Sequence, residues 1–269
     1  MPKLIIPGPE GRIEARYEGH ADETAPLALI LHPHPQHNGT MDNTVTFLMF
    51  HTFLNAGFNV LRYNSRGVGA SEGEYDRGEG ELSDAATALD WLQTHRPNAR
   101  GCWVAGYDFG AWIGMQLLMR RPEINAFISV SPPANLYDFT FLAPCPNSGL
   151  FIQGNQDDFV PQDQVFKLVE KLRAQRGIEI DYNIIEGANH FFTGKEKELE
   201  QSIRAYIDAA PQLLPPEEDD IEEDDGEEED VEMDFDDILD AMPPSVAVRV
   251  LVPALSPSRT SSGRALRDP

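Results

Sequence analysis

Two carboxylates and one histidine in this sequence have the types and the order of a hydrolytic relay. Asp108, Asp157 and His190 follow one another along the chain, each just after an apolar run that predicts a buried strand. In such a relay the first residue attacks the substrate, the histidine is the general base, and the second acid holds the imidazole in one tautomer. We therefore predict that Asp108, His190 and Asp157 form a catalytic triad.

Asp108 is the residue that decides which chemistry this relay can perform. It is the centre of Gly106-Tyr-Asp-Phe-Gly110, which links an apolar run beginning at Cys102 to an apolar helix reaching Met119. Glycines on both sides allow a sharp turn, the elbow turn, which lifts the central side chain to the sheet edge above a helix N-terminus. The usual central residue of such a turn is serine.

The acid of the relay has two candidates, Asp157 and Asp158. Asp157 is favoured because it opens the sequence D-x-x-V-P, in which Val160 and Pro161 fix its distance from the following helix. We predict that Asp157 orients His190 and stabilises its charged form.

The loop beginning at His32 is predicted to supply an oxyanion hole. Two of its residues are prolines without an N–H group, so His34 and Gln36 are the local donors, with the Phe109 N–H as the second half of the hole. Three histidines, at 32, 34 and 37, also suggest a metal site. That interpretation is not favoured, because no carboxylate at ligand spacing and no cysteine accompanies them. We predict neither a metal nor a cofactor.

Aromatic side chains near the elbow turn predict the character of the substrate. An apolar site is expected to be lined by Tyr107, Phe109, Trp112 and Tyr137. The predicted substrate is therefore a small, uncharged molecule.

The order of the predicted elements indicates an α/β protein. An amino-terminal hairpin is followed by apolar runs that alternate with helical patterns, so we predict a mostly parallel, doubly wound sheet with right-handed crossovers. Loops at the carboxyl ends of such strands meet at the ligand site. The predicted strands after the hairpin are 27–31, 59–64, 102–105, 126–130, 150–153 and 180–185.

Composition divides the chain at about residue 212. We predict one domain over residues 1–212 and an acidic, disordered tail over residues 213–269. The formal net charge is −24, and the stretch 217–240 holds 17 acids and no base, which argues against a nucleic-acid partner. Within the tail, apolar residues of 231–242 share one helical face, which also suits docking to a protein partner. Without a secretory or membrane-spanning apolar run, we expect a cytoplasmic protein with no membrane contact.

These motifs resemble a bacterial family of small, capless α/β hydrolases related to dienelactone hydrolases and serine esterases. The resemblance covers roughly residues 3–208 and implies a Ser-His-Asp hydrolase. Three departures from the family pattern are Asp108 in place of Ser, Ser65 in place of an aromatic residue, and Asn38-Gly39 in place of a Gly-Gly pair. The matching segments are 32–35, 39–43, 62–64, 66–73, 75–81, 106–122 and 187–192.

Asp108 leaves three interpretations open. In the first, the chain hydrolyses an ester-like substrate. In the second, it resembles haloalkane dehalogenases and epoxide hydrolases, in which an elbow aspartate attacks saturated carbon. In the third, it is a non-catalytic binding protein that has lost its serine. The second group usually has a cap domain carrying donors for the leaving group. Here only 18 residues separate Val130 from Gly149, and Phe109 offers no side-chain donor.

Overall fold

A computed structural model describes residues 3–210 of the chain. The predictions for the tail, including the docking segment 231–242, lie outside the described residues. Within the described part, no helix is both long and apolar enough to span a bilayer.

Strands and helices alternate along the chain after an initial hairpin, as predicted. The strands are β1 (Leu4–Gly8), β2 (Gly11–Glu18), β3 (Leu27–Leu31), β4 (Asn59–Tyr63), β5 (Cys102–Tyr107), β6 (Ile124–Val130), β7 (Gly149–Gly154) and β8 (Ile180–Ile185). The α-helices are α1 (Thr44–Asn55), α2 (Glu79–His95), α3 (Phe109–Leu118), α4 (Gln162–Arg173) and α5 (Glu196–Ala209). Short 3₁₀ turns occupy Pro35–His37 and Thr140–Leu142.

The strands form one eight-stranded sheet in the order β1-β2-β4-β3-β5-β6-β7-β8. The β1–β2 hairpin is antiparallel and pairs antiparallel with β4, whereas β3 to β8 are all parallel. The predicted mostly parallel sheet is therefore confirmed. The carboxyl ends of the parallel strands share one edge, and the loops that leave those ends can converge there.

Helices cover both faces of the sheet, which explains why its central strands are apolar without alternation. Helices α1 and α5 pack on one face, where Phe50, Phe53 and Ile203 belong to the same buried cluster as Trp103 of β5. Helices α2, α3 and α4 pack on the other, where Leu89 and Ile113 are buried. The central strands are thus rigid supports for the loops at their ends.

A buried ion pair fixes the loop between β4 and α2, which reaches the carboxyl edge of the sheet. Arg66 Nε and one terminal nitrogen donate to the two carboxylate oxygens of Asp84, at 3.0 and 2.9 Å, and both side chains are buried. Glu81, also buried, accepts the N–H groups of Asp76 and Gly78 at 2.9 and 2.7 Å. Such two-point pairing holds this loop, which carries Tyr75, in one conformation.

Candidate active site

Asp108 occupies the predicted elbow turn between β5 and α3. Its backbone has φ 52° and ψ −123°, a conformation that costs a residue with a side chain on the order of 1–3 kcal/mol. Gly106 and Gly110 approach each other so closely that a Cβ on Gly106 would collide with the Gly110 carbonyl group. The Asp108 N–H donates to the Val130 carbonyl at 3.0 Å, so neighbouring β6 anchors the strained residue.

Asp157 and His190 form a direct hydrogen bond at the ends of β7 and β8. Nδ1 of His190 lies 2.8 Å from Oδ2 of Asp157, and the Asp157 side chain is fully buried. The other carboxylate oxygen, Oδ1, accepts the N–H groups of Phe159 and Val160 at 2.9 and 2.8 Å. Burial opposes ionisation, but the bond from His190 and these two N–H groups outweigh it and hold the pKa of Asp157 below its usual value. Asp158, the other candidate, is exposed.

His190 faces Asp108 without a direct hydrogen bond. Its Nε2 atom is 4.0 Å from Oδ1 of Asp108, beyond hydrogen-bonding distance. The imidazole is nearly buried, and Tyr107 lies behind it with its hydroxyl donating to the His190 carbonyl at 3.0 Å. The three predicted relay residues therefore lie together, with a gap between the imidazole and the elbow carboxylate.

The predicted oxyanion donor His34 contacts Asp108 itself. The His34 N–H donates to Oδ2 of Asp108 at 3.1 Å. Phe109 is the first residue of α3, and its N–H has no hydrogen-bond partner within residues 3–210. The Gln36 prediction is wrong, because the Gln36 N–H donates to Nδ1 of the His34 ring at 3.2 Å within its own tight turn. The Asp108 carboxylate thus already accepts the His34 N–H, one of the two groups predicted to form the oxyanion hole.

The aromatic residues predicted to line the site form a continuous cluster around Phe109. The rings of Tyr137 and Trp112 stack at 4.4 Å, and Phe109 packs against both. Trp112 also donates its indole N–H to the Asp138 carbonyl at 3.0 Å, which holds the β6–β7 loop in place. Tyr107 does not line the site, because it is 1 % exposed and packs in the core behind His190.

Exposed apolar side chains outside the predicted site residues flank His190. Phe159 and Phe191 contact the His190 ring at centroid distances of 5.2 and 5.4 Å, and they are 60 % and 52 % exposed. Leu136 is also exposed, and its neighbour Asn135 donates to the Phe159 carbonyl at 3.0 Å. We call Leu136, Phe159 and Phe191 the apolar rim. Each of them is adjacent or nearly adjacent in sequence to Tyr137, Asp157 or His190, and this is the signal that could have predicted their position.

A groove of about 340 Å³ lies beside Tyr137, between the β6–β7 loop and α4. Leu142, Leu168 and Leu172 line it, but Asp108 and His190 do not. This groove is therefore separate from the Asp108 and His190 side chains.

The histidines of the 32–37 loop contact protein groups. His32 is buried, with Nδ1 2.6 Å from the Pro33 carbonyl and Nε2 2.9 Å from the Ser65 hydroxyl. The ring of His34 stacks on that of His37 at 4.4 Å. Within residues 3–210, no three side chains of His, Cys, Asp or Glu are grouped so as to hold a metal ion.

The buried His32 should make stability depend on pH between about 6.5 and about 4. Burial lowers the pKa of His32 to about 4, although its bond to Pro33 opposes the shift. The unfolded chain therefore takes up a proton in this window that the folded chain does not, and acid favours unfolding. The free energy of unfolding should fall by up to about 1.4 kcal/mol per pH unit from this group.

Urea unfolding of the wild type and His32→Gln at pH 7 and pH 4.5 tests this expectation. The variant should lose less stability than the wild type on acidification. His34, whose pKa burial also lowers, is present in both proteins, so its contribution cancels. Equal losses in the two proteins would contradict the role of His32.

The sequence of the chain is similar to two families of peptidases and to a bacterial protein. Two family models match parts of the chain: the X-Pro dipeptidyl-peptidase S15 family over residues 19–147 and the prolyl oligopeptidase family over residues 125–210. An uncharacterized protein of Rickettsia prowazekii is 50% identical over 211 residues, which cover 77% of this chain and 89% of that protein.

Solved structures extend the similarity to the arrangement of the domain. A protein of unknown function from Agrobacterium tumefaciens, described as a candidate α/β hydrolase, is 53% identical with a TM-score of 0.77, covering 80% of this chain and all of that one. An α/β serine hydrolase homologue from Coxiella burnetii is 32% identical, with a TM-score of 0.69 and coverage of 76% and 96%. An α/β serine hydrolase without a lid from Xanthomonas campestris is 28% identical, with a TM-score of 0.71 and coverage of 80% and 96%.

Proposed function

The chain belongs to the α/β-hydrolase family, and from that premise we propose that it is a hydrolase whose nucleophile is the Asp108 carboxylate. Its substrate is a small, uncharged molecule that is attacked at a saturated carbon atom. The observation that carries this proposal is the 3.1 Å hydrogen bond from the His34 N–H to Oδ2 of Asp108.

That hydrogen bond favours attack on saturated carbon over attack on an ester carbonyl. An ester carbonyl would develop its own oxyanion, yet the His34 N–H that would stabilise it is occupied by Asp108. Attack by the carboxylate on an ester would also give an anhydride. When Asp108 is alkylated instead, Oδ2 becomes the carbonyl oxygen of the enzyme ester. The donor is then already aimed at the oxygen where charge develops during hydrolysis of that ester.

The remaining contacts suit the two steps of this reaction. Oδ1, the oxygen of Asp108 that His34 does not hold, is the nucleophile and forms the enzyme ester. His190 then takes a proton from the water that attacks the ester carbonyl carbon, and Asp157 stabilises the resulting imidazolium. The 4.0 Å separation between His190 Nε2 and Oδ1 is consistent with an imidazole that acts on water and not on the nucleophile.

The surroundings of Asp108 support an apolar substrate. The apolar rim flanks His190, and the aromatic cluster around Phe109 lies next to the nucleophile. A negatively charged substrate would be repelled by the Asp108 carboxylate. The product is an alcohol in which the Oδ1 atom of Asp108 replaces the leaving group.

Single-turnover hydrolysis in heavy-oxygen water tests the proposal. Small aromatic epoxides, alkyl halides and p-nitrophenyl esters are each mixed with excess protein. A productive substrate should place the heavy oxygen in the Asp108 carboxylate first and leave the product of that turnover unlabelled, because water attacks the carbonyl carbon of the enzyme ester. Mass spectrometry of the peptide that contains Asp108 measures the label.

The exposed carboxylate of Asp158 provides an internal control, because its peptide should stay unlabelled. Heavy oxygen that appears in the product while Asp108 remains unlabelled would refute the carboxylate nucleophile. Absence of turnover with every class would favour the non-catalytic interpretation.

A further inference from the structure

We propose that Gln153 is a positioning residue of the relay, whose side-chain amide binds the Asp157 oxygen that holds His190 and lets the imidazole act as a base at a lower pH. This inference rests on the proposed function, because a base is needed to hydrolyse the Asp108 ester. Since its side chain is completely buried near the end of β7, Gln153 acts through Asp157 and not on the substrate.

The surroundings of Gln153 determine which way its amide group points. Nε2 lies 3.0 Å from Oδ2 of Asp157 and 2.8 Å from the Val160 carbonyl oxygen. Both oxygens only accept hydrogen bonds, because the Asp157 carboxylate is ionised and a carbonyl oxygen carries no hydrogen. The amide nitrogen must therefore face them, since the amide oxygen in its place would meet two acceptors.

The amide oxygen of Gln153 is left without a partner. Oε1 is buried and accepts no hydrogen bond from any group within residues 3–210. A buried polar atom without a partner destabilises the folded chain. The other residues of β7 are glycine or apolar, so packing alone would favour an apolar side chain at this position as well. A role for the N–H groups accounts for the presence of glutamine there.

Gln153 completes a shell of donors around the Asp157 carboxylate. Oδ1 accepts the N–H groups of Phe159 and Val160. Oδ2 is shared, because it lies 2.8 Å from Nδ1 of His190 and 3.0 Å from Nε2 of Gln153. The amide stabilises the carboxylate independently of the imidazole, so Asp157 favours the charged form of His190 less than it would without this second donor.

The groups that face the His190 ring determine how readily it becomes charged. Asp157 contacts Nδ1, and Oδ1 of Asp108 lies 4.0 Å from Nε2, so a carboxylate lies on each side of the ring. Each of them favours the imidazolium, which cannot take a proton from water. Tyr107 of β5 packs behind the ring, and burial raises the pKa of its hydroxyl group, so it stays uncharged. Within residues 3–210, the other rings that contact the imidazole are those of uncharged residues, Phe159 and Phe191.

Formation of the enzyme ester changes this balance. The charge of Asp108 disappears when Oδ1 is alkylated, so of the two carboxylates beside the ring only Asp157 stays charged. From then on, the attraction of Asp157 for the ring proton sets the pH at which His190 becomes a base. The Gln153 amide reduces this attraction but leaves the bond between Nδ1 and Oδ2 in place. It therefore extends hydrolysis of the ester to a lower pH.

Gln153→Met tests the inference, because it removes both N–H groups and keeps an unbranched side chain of similar length. Nitrogen NMR of isotopically labelled histidine rings in the free protein follows the protonation of His190, whose signals are those missing from His190→Ala. We expect the variant to shift the titration midpoint of His190 upward by about one pH unit, because a hydrogen bond to a charged group is lost. This measurement needs no substrate, so it is independent of the role of Asp108.

Hydrolysis of the Asp108 ester provides a second readout. The protein is alkylated with benzyl bromide, and mass spectrometry follows the loss of the adduct from about pH 5 to about pH 9. In Gln153→Met the pH profile should move upward by about one unit, while the rate at high pH stays within about threefold of that of the wild type. A purely structural role would instead lower the rate at every pH without moving the profile.

Gln175→Met is the matched control, because Gln175 bonds to Leu142 and Cys145 and makes no contact with Asp157. It should leave the His190 midpoint unchanged. An unchanged midpoint in folded Gln153→Met would overturn the inference. If that variant does not fold, Gln153→Asn, which withdraws the amide by one methylene, must show the same upward shift. Failure of benzyl bromide and the other probes to alkylate Asp108 would refute the proposed nucleophile, and the NMR midpoint would still decide the role of Gln153.

Discussion

His190→Ala is expected to leave Asp108 trapped as its alkyl ester. The first step needs only the Asp108 carboxylate, whereas the second needs a base to activate water. We therefore expect ester formation at a rate close to that of the wild type, with its hydrolysis slowed by about 10³-fold. The measurement is intact-protein mass spectrometry during reaction with a productive substrate, which should show one equivalent of adduct and then no further turnover.

His95→Ala is a suitable control, because His95 lies in the last turn of α2 and bonds only within that helix. It should turn over like the wild type. The His190 variant should stay folded, since Asp157 keeps bonds from Gln153, Phe159 and Val160. Unchanged steady-state turnover in His190→Ala would contradict the assignment of this residue as the base.

Asp108→Ser is expected to exchange one reaction for another. Removing the carboxylate abolishes attack on saturated carbon, and we expect at least about a 10³-fold loss of that activity. The change also releases the His34 N–H, so a substrate oxyanion can bind there, with His190 near the new hydroxyl. Hydrolysis of p-nitrophenyl acetate should then exceed that of the wild type by about 10²-fold or more.

Asp108→Ala provides the comparison, because it releases the same N–H group but adds no nucleophile. It should lose the first activity and gain little ester hydrolysis. If Asp108→Ser retains wild-type activity toward the original substrate, the nucleophile lies elsewhere. Thermal unfolding of both variants should give midpoints near that of the wild type, which separates lost chemistry from lost structure.

Most of the fold could be predicted from the sequence because its signals are local and periodic. Unbroken apolar runs such as 27–31 are typical of strands buried on both faces, and the alternation with helices indicates a parallel sheet. The α/β-hydrolase fold without a cap, predicted from motifs and from the short 131–148 segment, is confirmed by the comparison with the lidless relative. Strand boundaries needed correction by only one or two residues, as for β6, which begins at Ile124 and not at residue 126.

The assembly of the candidate site was less accessible, because it depends on contacts between loops that are distant in sequence. The sequence predicts Gln36 as a donor because it has an N–H group, but the tight turn at Pro35–His37 directs that N–H to the ring of His34. No spacing in the chain indicates that Tyr75 meets His34, which is 41 residues away in the sequence. The rule that loops at the carboxyl ends of strands converge predicts that these loops meet, but not which of their side chains form hydrogen bonds.

The carboxylate at the elbow turn also determines whether chemical labelling of serine hydrolases can detect this chain. Organophosphorus reagents that inventory serine hydrolases work by phosphorylating the hydroxyl group at this turn, and Asp108 offers none. A proteome surveyed in that way would record hydrolases that have serine at this turn and pass over a chain with aspartate there. Silence toward such reagents therefore says nothing about whether the protein is active, whereas electrophiles that alkylate carboxylates test the proposed nucleophile directly.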